Sequence, residues 1–245
     1  MRLEDLRPPE RLPLAIDPCP IQEAVIELRY ERPKGLIWDA VPGVVFSRLE
    51  GNGWGPLERL PIAEVPQEIL EMEANLQHAP HYSLSKGPCL LLLGPKMLGL
   101  ANKSPYLGWK QLFAEFRSIF EALGSTLIRK LNRVGIRYID TFEGNVLPKT
   151  RLDFQIAGCS PAMSTMSFHL PLEGRDGFTL SLRLANGLAT GEPAQLRSII
   201  DLDASVSPVP AGDVLGLIES GHQQQKQLFF SLLKDDFLES LNPTY

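Results

Sequence analysis

Apolar and polar positions alternate with period two along much of this chain, and the alternation predicts where strands lie. In "PIQEAVIELRYERP", Ala24, Ile26, Leu28 and Tyr30 alternate with Glu23, Val25, Glu27 and Arg29, the spacing of a half-buried strand. "HYSLS" and "PCLLLLGPKMLGLANK" predict consecutive strands with turns at Gly87-Pro88 and Gly94-Pro95. "LNRVGIRYID" follows a helix and reads as a buried strand. "RLDFQIAG", "STMSFHLPL", "GFTLSLRLAN" and "LRSIIDLDASVS" predict four more after it. In "GFTLSLRLAN", Phe178, Leu180, Leu182 and Leu184 face one way, and Thr179, Ser181 and Arg183 the other.

Helical periodicity is clearest where Trp109, Leu112, Phe113, Phe116, Ile119, Phe120 and Leu123 recur at i, i+3 and i+4, with Gly124 as the expected stop. This stripe predicts a helix packed on a sheet. A second, long helix is expected from Gly212 or Asp213 after Pro208 and Pro210, with Val214, Leu217, Ile218, Leu228, Phe229 and Leu232 on its apolar face. The polar run "GHQQQKQ" is expected to interrupt that face, and "KDDFLESLNP" to form a short final turn. Residues 35–50 predict a short helix, and "GNGWGPLERLP" a loop or weak strand. Glu64 to Leu76 fits a helix or a strand.

Many meandering strands, one central helix and one terminal helix predict an α+β fold: a curved, mainly antiparallel sheet backed by the central helix and the long C-terminal helix. Residues 1–20 read as a Pro-rich arm that lies on the body or stays mobile, and residues 21–245 as a single domain. No βαβ alternation, internal repeat or linker divides it.

Composition narrows the function. A chain of 245 residues buries an adequate core without a disulfide or metal staple. Its formal net charge of −5 gives no general attraction to phosphate, so nucleic acid is not an expected partner on charge grounds. Cys19, Cys89 and Cys159 are odd in number, far apart and free of zinc spacing, which fits idle thiols in a reducing cytoplasm. The first twenty residues lack the apolar core of a secretory signal, and "CLLLLG" is too short to span a bilayer. A cytoplasmic location is expected, with no metal and no cofactor.

The catalytic motifs are weak. "GNGWGP" lacks the strand-loop-helix setting and the GK[ST] end of a phosphate loop. His78 and His81 flank a proline, with no third ligand in sight. His169 shares a polar strand face with Thr165 and Ser167, and acts as a base only if the fold brings a nucleophile to it. Asp235 and Asp236 are adjacent, so on a helix they point apart. Trp38, Trp54 and Trp109 do not interleave with the basic residues as a stacking platform requires.

The arginine strand carries the sharper question. In "RVGIRYI", Arg133, Gly135 and Arg137 share one face, and Val134, Ile136 and Tyr138 the other. The second face of the first strand carries Glu23 and Glu27, so neighbouring strands would set Glu23 or Glu27 within ion-pair reach of Arg133 or Arg137, with Gly135 leaving room. Structural pairing is the first expectation. The alternative is a phosphate or carboxylate site, if the arginines face a groove.

"PIQEAVIELRY", "YLGW" at Tyr106 to Trp109, and "RVGIRYID" resemble a sporadically distributed family of uncharacterised prokaryotic proteins of about this length. Its members open with a Pro-Ile-x-Glu-Ala-x-x-Glu strand and carry Arg-x-Gly-x-Arg-Tyr after a helix. The likeness covers most of the chain, with Asp140 where Asn is common. It implies a bacterial origin, and the family's patchy distribution hints at toxin-antitoxin pairs or phage defence.

The expected function is a non-enzymatic, protein-binding module, in such a bacterial defence or toxin-antitoxin system. His222, Gln225, Phe229, Phe230 and Phe237 form the candidate partner interface, with a homo-oligomer left open. The alternatives are a small-ligand sensor with a pocket between sheet and helix, and a subunit of a nucleic-acid-processing complex that uses Arg133 and Arg137.

Overall fold

The structure, a computed structural model, describes residues 1–73, 76–159, 165–190 and 195–245. The chain forms two compact units. The middle unit comprises Glu23–Ile136 and Val206–Ile218, and the terminal unit Met1–Gln22, Arg137–Ser205 and Glu219–Tyr245. Among the described residues both helices and strands are well represented, and the class is α+β as the sequence predicts.

In the middle unit, strands β1 (Ile21–Glu31), β2 (Glu58–Arg59), β3 (Tyr82–Lys86), β4 (Cys89–Gly94), β5 (Met97–Lys103) and the start of β6 (Lys130–Glu143) are hydrogen-bonded in the order β2-β3-β4-β5-β1-β6. The pairs β2–β3, β3–β4, β4–β5 and β1–β5 are antiparallel. Period two sets the core here. Ile26, Leu100, Leu91 and Leu84 stand opposite one another across four strands, and each is almost wholly buried. Such a row contributes about 1.5–3 kcal/mol per side chain before ordering costs.

Helix α1 (Val41–Leu49) lies within the stretch expected to be helical, and α2 (Gln67–Met72) makes the middle of the ambiguous segment helical, with residues 74–75 of that segment outside the described residues. Helix α3 (Trp109–Leu127) buries Leu112, Phe116, Ile119, Leu123 and Leu127 at 0–1 % exposure. Lys86 of β3 reaches Glu115 of α3 at 2.8 Å, on the same strand face as buried Leu84. Gly124 is no stop. The helix runs through it to Leu127, and a Cβ at Gly124 would meet the Phe120 ring at 3.2 Å, a tight contact that glycine avoids at a cost of roughly 1 kcal/mol in helix propensity. Buried Asn102 shapes the turn before α3, accepting from Leu107 N–H at 2.8 Å and donating to the Lys103 carbonyl at 2.7 Å.

In the terminal unit, the rest of β6 joins β7 (Ser167–Glu173), β8 (Phe178–Thr190) and β9 (Gln195–Val206) in the order β6-β9-β8-β7. Phe178, Leu180, Leu182 and Leu184 of β8 and Ile200, Leu202 and Ala204 of β9 are buried, again at alternate positions. Most of α4 (Val214–Leu232) and all of α5 (Asp235–Ser240) belong to this unit. The N-terminal arm lies on it: Leu3 is fully buried, Leu14 N–H donates to the Thr244 carbonyl at 2.6 Å, and Asp17 N–H to the Leu241 carbonyl at 2.8 Å.

One sequence expectation fails in this unit. "RLDFQIAG" is not a strand. Its end is a tight turn in which Ile156 and Cys159 exchange backbone hydrogen bonds at 2.8 and 3.0 Å, with Ala157 and Gly158 both at positive φ. Its alternation reports amphipathicity without a strand to pair with, since Phe154 meets Phe168 at 4.9 Å while Ile156 stays 68 % exposed. "GHQQQKQ" does interrupt the apolar face of α4, and Gln224 and Gln225 do so from inside the unit, at 1 % and 2 % exposure. Of the described residues, no helix is long and apolar enough to cross a membrane.

Candidate functional site

The arginines of β6 are held by carboxylates. Because β1 is the neighbour of β6 in the middle unit, the acidic face of one strand meets the basic face of the other. Glu27 Oε1 accepts from Arg133 Nη1 and from Arg29 Nε, each at 2.7 Å, with all three side chains about two-thirds or more buried. Nearer the start of β6, Glu31 pairs with Arg129 and lies 3.6 Å from Lys130. Glu23 stands opposite Lys103 of β5.

Gly135 is needed for this arrangement. The Arg133 side chain folds back over its own strand, and a Cβ on residue 135 would lie 2.3 Å from Nη1 and 2.8 Å from Cζ. The Arg-x-Gly-x-Arg spacing thus makes room for a guanidinium laid flat on the sheet. Arg137, in the terminal unit, makes a bidentate pair with Asp201 of β9, with Nε and Nη2 at 2.7 and 2.8 Å from the two carboxylate oxygens.

The opposite face of β6 holds chemistry that the sequence reading missed. Tyr138, Asp140 and Phe142 share the core-facing parity of the strand, and all are buried. Tyr138 Oη lies 3.0 Å from His222 Nδ1 of α4, and Phe142 stacks on Phe229 about two turns further along the same face of that helix. Burial, with the nearby Asp201 carboxylate acting in the same direction, pushes the Asp140 carboxyl up to about 8. Burial pushes His222 down to about 4, with Glu219 opposing and Lys226 reinforcing the shift. At pH 7 both groups are therefore neutral inside the unit. Cys19, on the arm, has its thiol raised by burial and also by Asp140 and Asp17. The available signal was parity: Asp140 is two residues from each of two aromatic core positions.

His169 does meet a hydroxyl. Its Nε2 lies 2.8 Å from Ser181 Oγ across the β7–β8 pair. Both sit on an outward strand face where His169 is exposed, and no acid orients the other ring nitrogen among the described residues. A nucleophile-base distance without an orienting group or an enclosed oxyanion cradle lacks most of what acyl transfer requires.

The residues expected to form a partner interface serve the unit's own interior. Gln225 Nε2 donates to the Leu202 carbonyl at 2.8 Å. Gln224 accepts from Arg175 N–H at 2.7 Å and donates to the Arg175 carbonyl at 3.3 Å, clamping the β7–β8 turn. Phe229 and Phe230 are 9 % and 6 % exposed, and Phe237 packs edge-on against Phe142 at 5.8 Å. His222 is taken by Tyr138.

Two of the tryptophans are met by a cation, which their sequence positions did not suggest. Arg32 lies 5.6 Å over Trp38, and Lys86 5.7 Å over Trp54. Trp109 stacks on Phe113 at 5.2 Å, with Arg117 5.0 Å over Phe113. Among the described residues, no group of three or more His, Cys, Asp or Glu side chains is placed to hold a metal ion. No protein-family model matches the chain, and no curated protein matches it.

Proposed function

We propose that this chain is a non-enzymatic, protein-binding module that docks its partner on the middle unit around Ile37 and Trp38. The observation that carries this reading is an exposed apolar side chain beside a pre-organised aromatic. Ile37 is 71 % exposed, and the neighbouring Trp38 ring meets His81 edge-on at 5.6 Å and Tyr82 at a tilt at 6.0 Å, with the Arg32 guanidinium 5.6 Å over it. Arg32 is itself fixed by donating to the Leu36 carbonyl at 3.1 Å. Trp, Tyr and Arg are the residues that dominate binding energy at interfaces, and rigid anchors lose little entropy on docking. Exposed Lys34 and Asp39 and half-buried Arg32 give this patch a rim of mixed charge, so the fitting partner presents an apolar knob with polar groups around it.

The test is copurification from the native host. A stoichiometric protein partner should be retained by the parent chain and by Leu196→Asp, an exposed substitution in the terminal unit, and lost from Ile37→Asp at unchanged melting temperature. A chain that copurifies with no stoichiometric protein, or a partner that Ile37→Asp still retains, would refute the reading.

A further inference from the structure

The terminal unit ends in an open strand edge. In the β7–β8 pair, Asn186 N–H donates to the Met166 carbonyl and Gly174 N–H to the Phe178 carbonyl, each at 2.8 Å, so the even-numbered residues of β7 form the ladder to β8. The odd-numbered residues turn their backbone N–H and C=O groups away from β8. Glu173 N–H accordingly donates outward, to the Met1 carbonyl at 3.1 Å, and Pro171 sits where a missing N–H costs the ladder nothing. β7 is the last strand of its sheet, and among the described residues nothing pairs with the outward groups of Ser167 and His169. We propose that β7 is a self-association edge, on which two copies of this chain pair antiparallel about a two-fold axis at Phe168.

The edge is self-complementary in that register. With the axis at Phe168, Ser167 of one copy faces His169 of the other, and the two exchange both their backbone hydrogen bonds. Pro171 then faces Thr165 and has only to accept. Pairing stops short of Glu173, where Met1 already holds the edge. The side chains fit the same axis. Phe168 and Leu170 are half-buried apolar residues beside the open edge, and the non-hydrogen-bonded pair at the axis brings the two Phe168 side chains together, with Cα atoms about 4.5 Å apart. Charge selects the partner. Thr165 to Leu172 contains no Lys, Arg, Asp or Glu. A two-fold axis sets each charge near its own like, so a strand that meets its own copy must be neutral, whereas one fitted to a foreign segment can match charge with charge. The middle unit's edge strand β2 is the contrast: it is two residues long, and both, Glu58 and Arg59, are charged, the usual guard against pairing. Closure about the axis uses up the β7 edge, so association ends at a dimer.

Sedimentation equilibrium of the full chain tests the pairing. A single strand pair buries less than a standard interface, so the parent should dimerise with a dissociation constant on the order of 10–100 μM. Ser167→Pro removes an outward N–H outside the β7–β8 ladder, so it should weaken dimerisation at least about tenfold at unchanged melting temperature. Phe168→Cys, mildly oxidised at dimeric concentration, should give a disulfide joining two copies through position 168, located by mass spectrometry, and this keeps the register testable should the proline variant not fold. A parent that stays monomeric well above that concentration range, a dimer that a folded Ser167→Pro leaves intact, association beyond a dimer, or a Phe168→Cys variant with no link through position 168 overturns the proposal.

Discussion

Substituting Asp140 by Asn should change the way stability depends on pH, and the change can be worked through from two groups. Folded, the terminal unit keeps Asp140 protonated up to about 8 and His222 neutral down to about 4. Unfolded, an aspartate titrates near 3.9 and a histidine near 6.5. Between about pH 4 and 6.5 the folded pair therefore holds one proton, on Asp140, and the unfolded pair also holds one, on the histidine. The slopes cancel, and the two groups together leave stability flat. Above about 6.5 the unfolded chain holds none while the fold still holds one. Stability then falls by about 1.4 kcal/mol per pH unit, or about 2 kcal/mol by pH 8, where Asp140 ionises in the fold as well. With Asn at 140 the decline above 6.5 should vanish. His222 alone then remains, and because its folded value is depressed, stability should be full above about 6.5 and fall by up to about 3 kcal/mol as pH drops to 4. The complementary His222→Gln change should leave a continuous fall from about pH 4 to 8, of at most about 5.5 kcal/mol. Packing that relaxes around a buried charge reduces both figures, so they are ceilings. Urea unfolding of parent and variants at about pH 5, 6.5 and 8 measures these slopes, and the difference between curves cancels all other titrating groups. An Asn variant whose stability fell between pH 6.5 and 8 as steeply as the parent's would refute the reasoning.

Gly135→Ala should cost about 1–2 kcal/mol in chemical denaturation, because the new Cβ would displace the Arg133 guanidinium from Glu27; in an Arg133→Ala background the same change should cost much less, and equal costs in both backgrounds would contradict the packing account. A fluorophosphonate probe should leave Ser181 unlabelled despite its contact with His169, and labelling that disappears in His169→Ala would instead identify a hydrolytic serine.

The α+β class, the strand parity and the central helix were legible in the sequence because a residue's own periodicity reports which face it occupies, and burial follows face. Glu27 with Arg133 was legible for the same reason: two strands with opposite charges at matching parity attract whatever else the chain does. What parity cannot report is which element lies across the way. Arg137 takes Asp201, 64 residues later, since β9 is the partner of β6 in the terminal unit. The glutamines of α4, polar by composition, are interior because sheet and turn carbonyls and N–H groups stand opposite them to be satisfied. "RLDFQIAG" has a strand's alternation but takes a turn conformation with Ala157 and Gly158 at positive φ. Asp140 combines both limits: its parity placed it inward from the start, but only tertiary packing, which brings it no counter-ion among the described residues, makes it a neutral acid at pH 7.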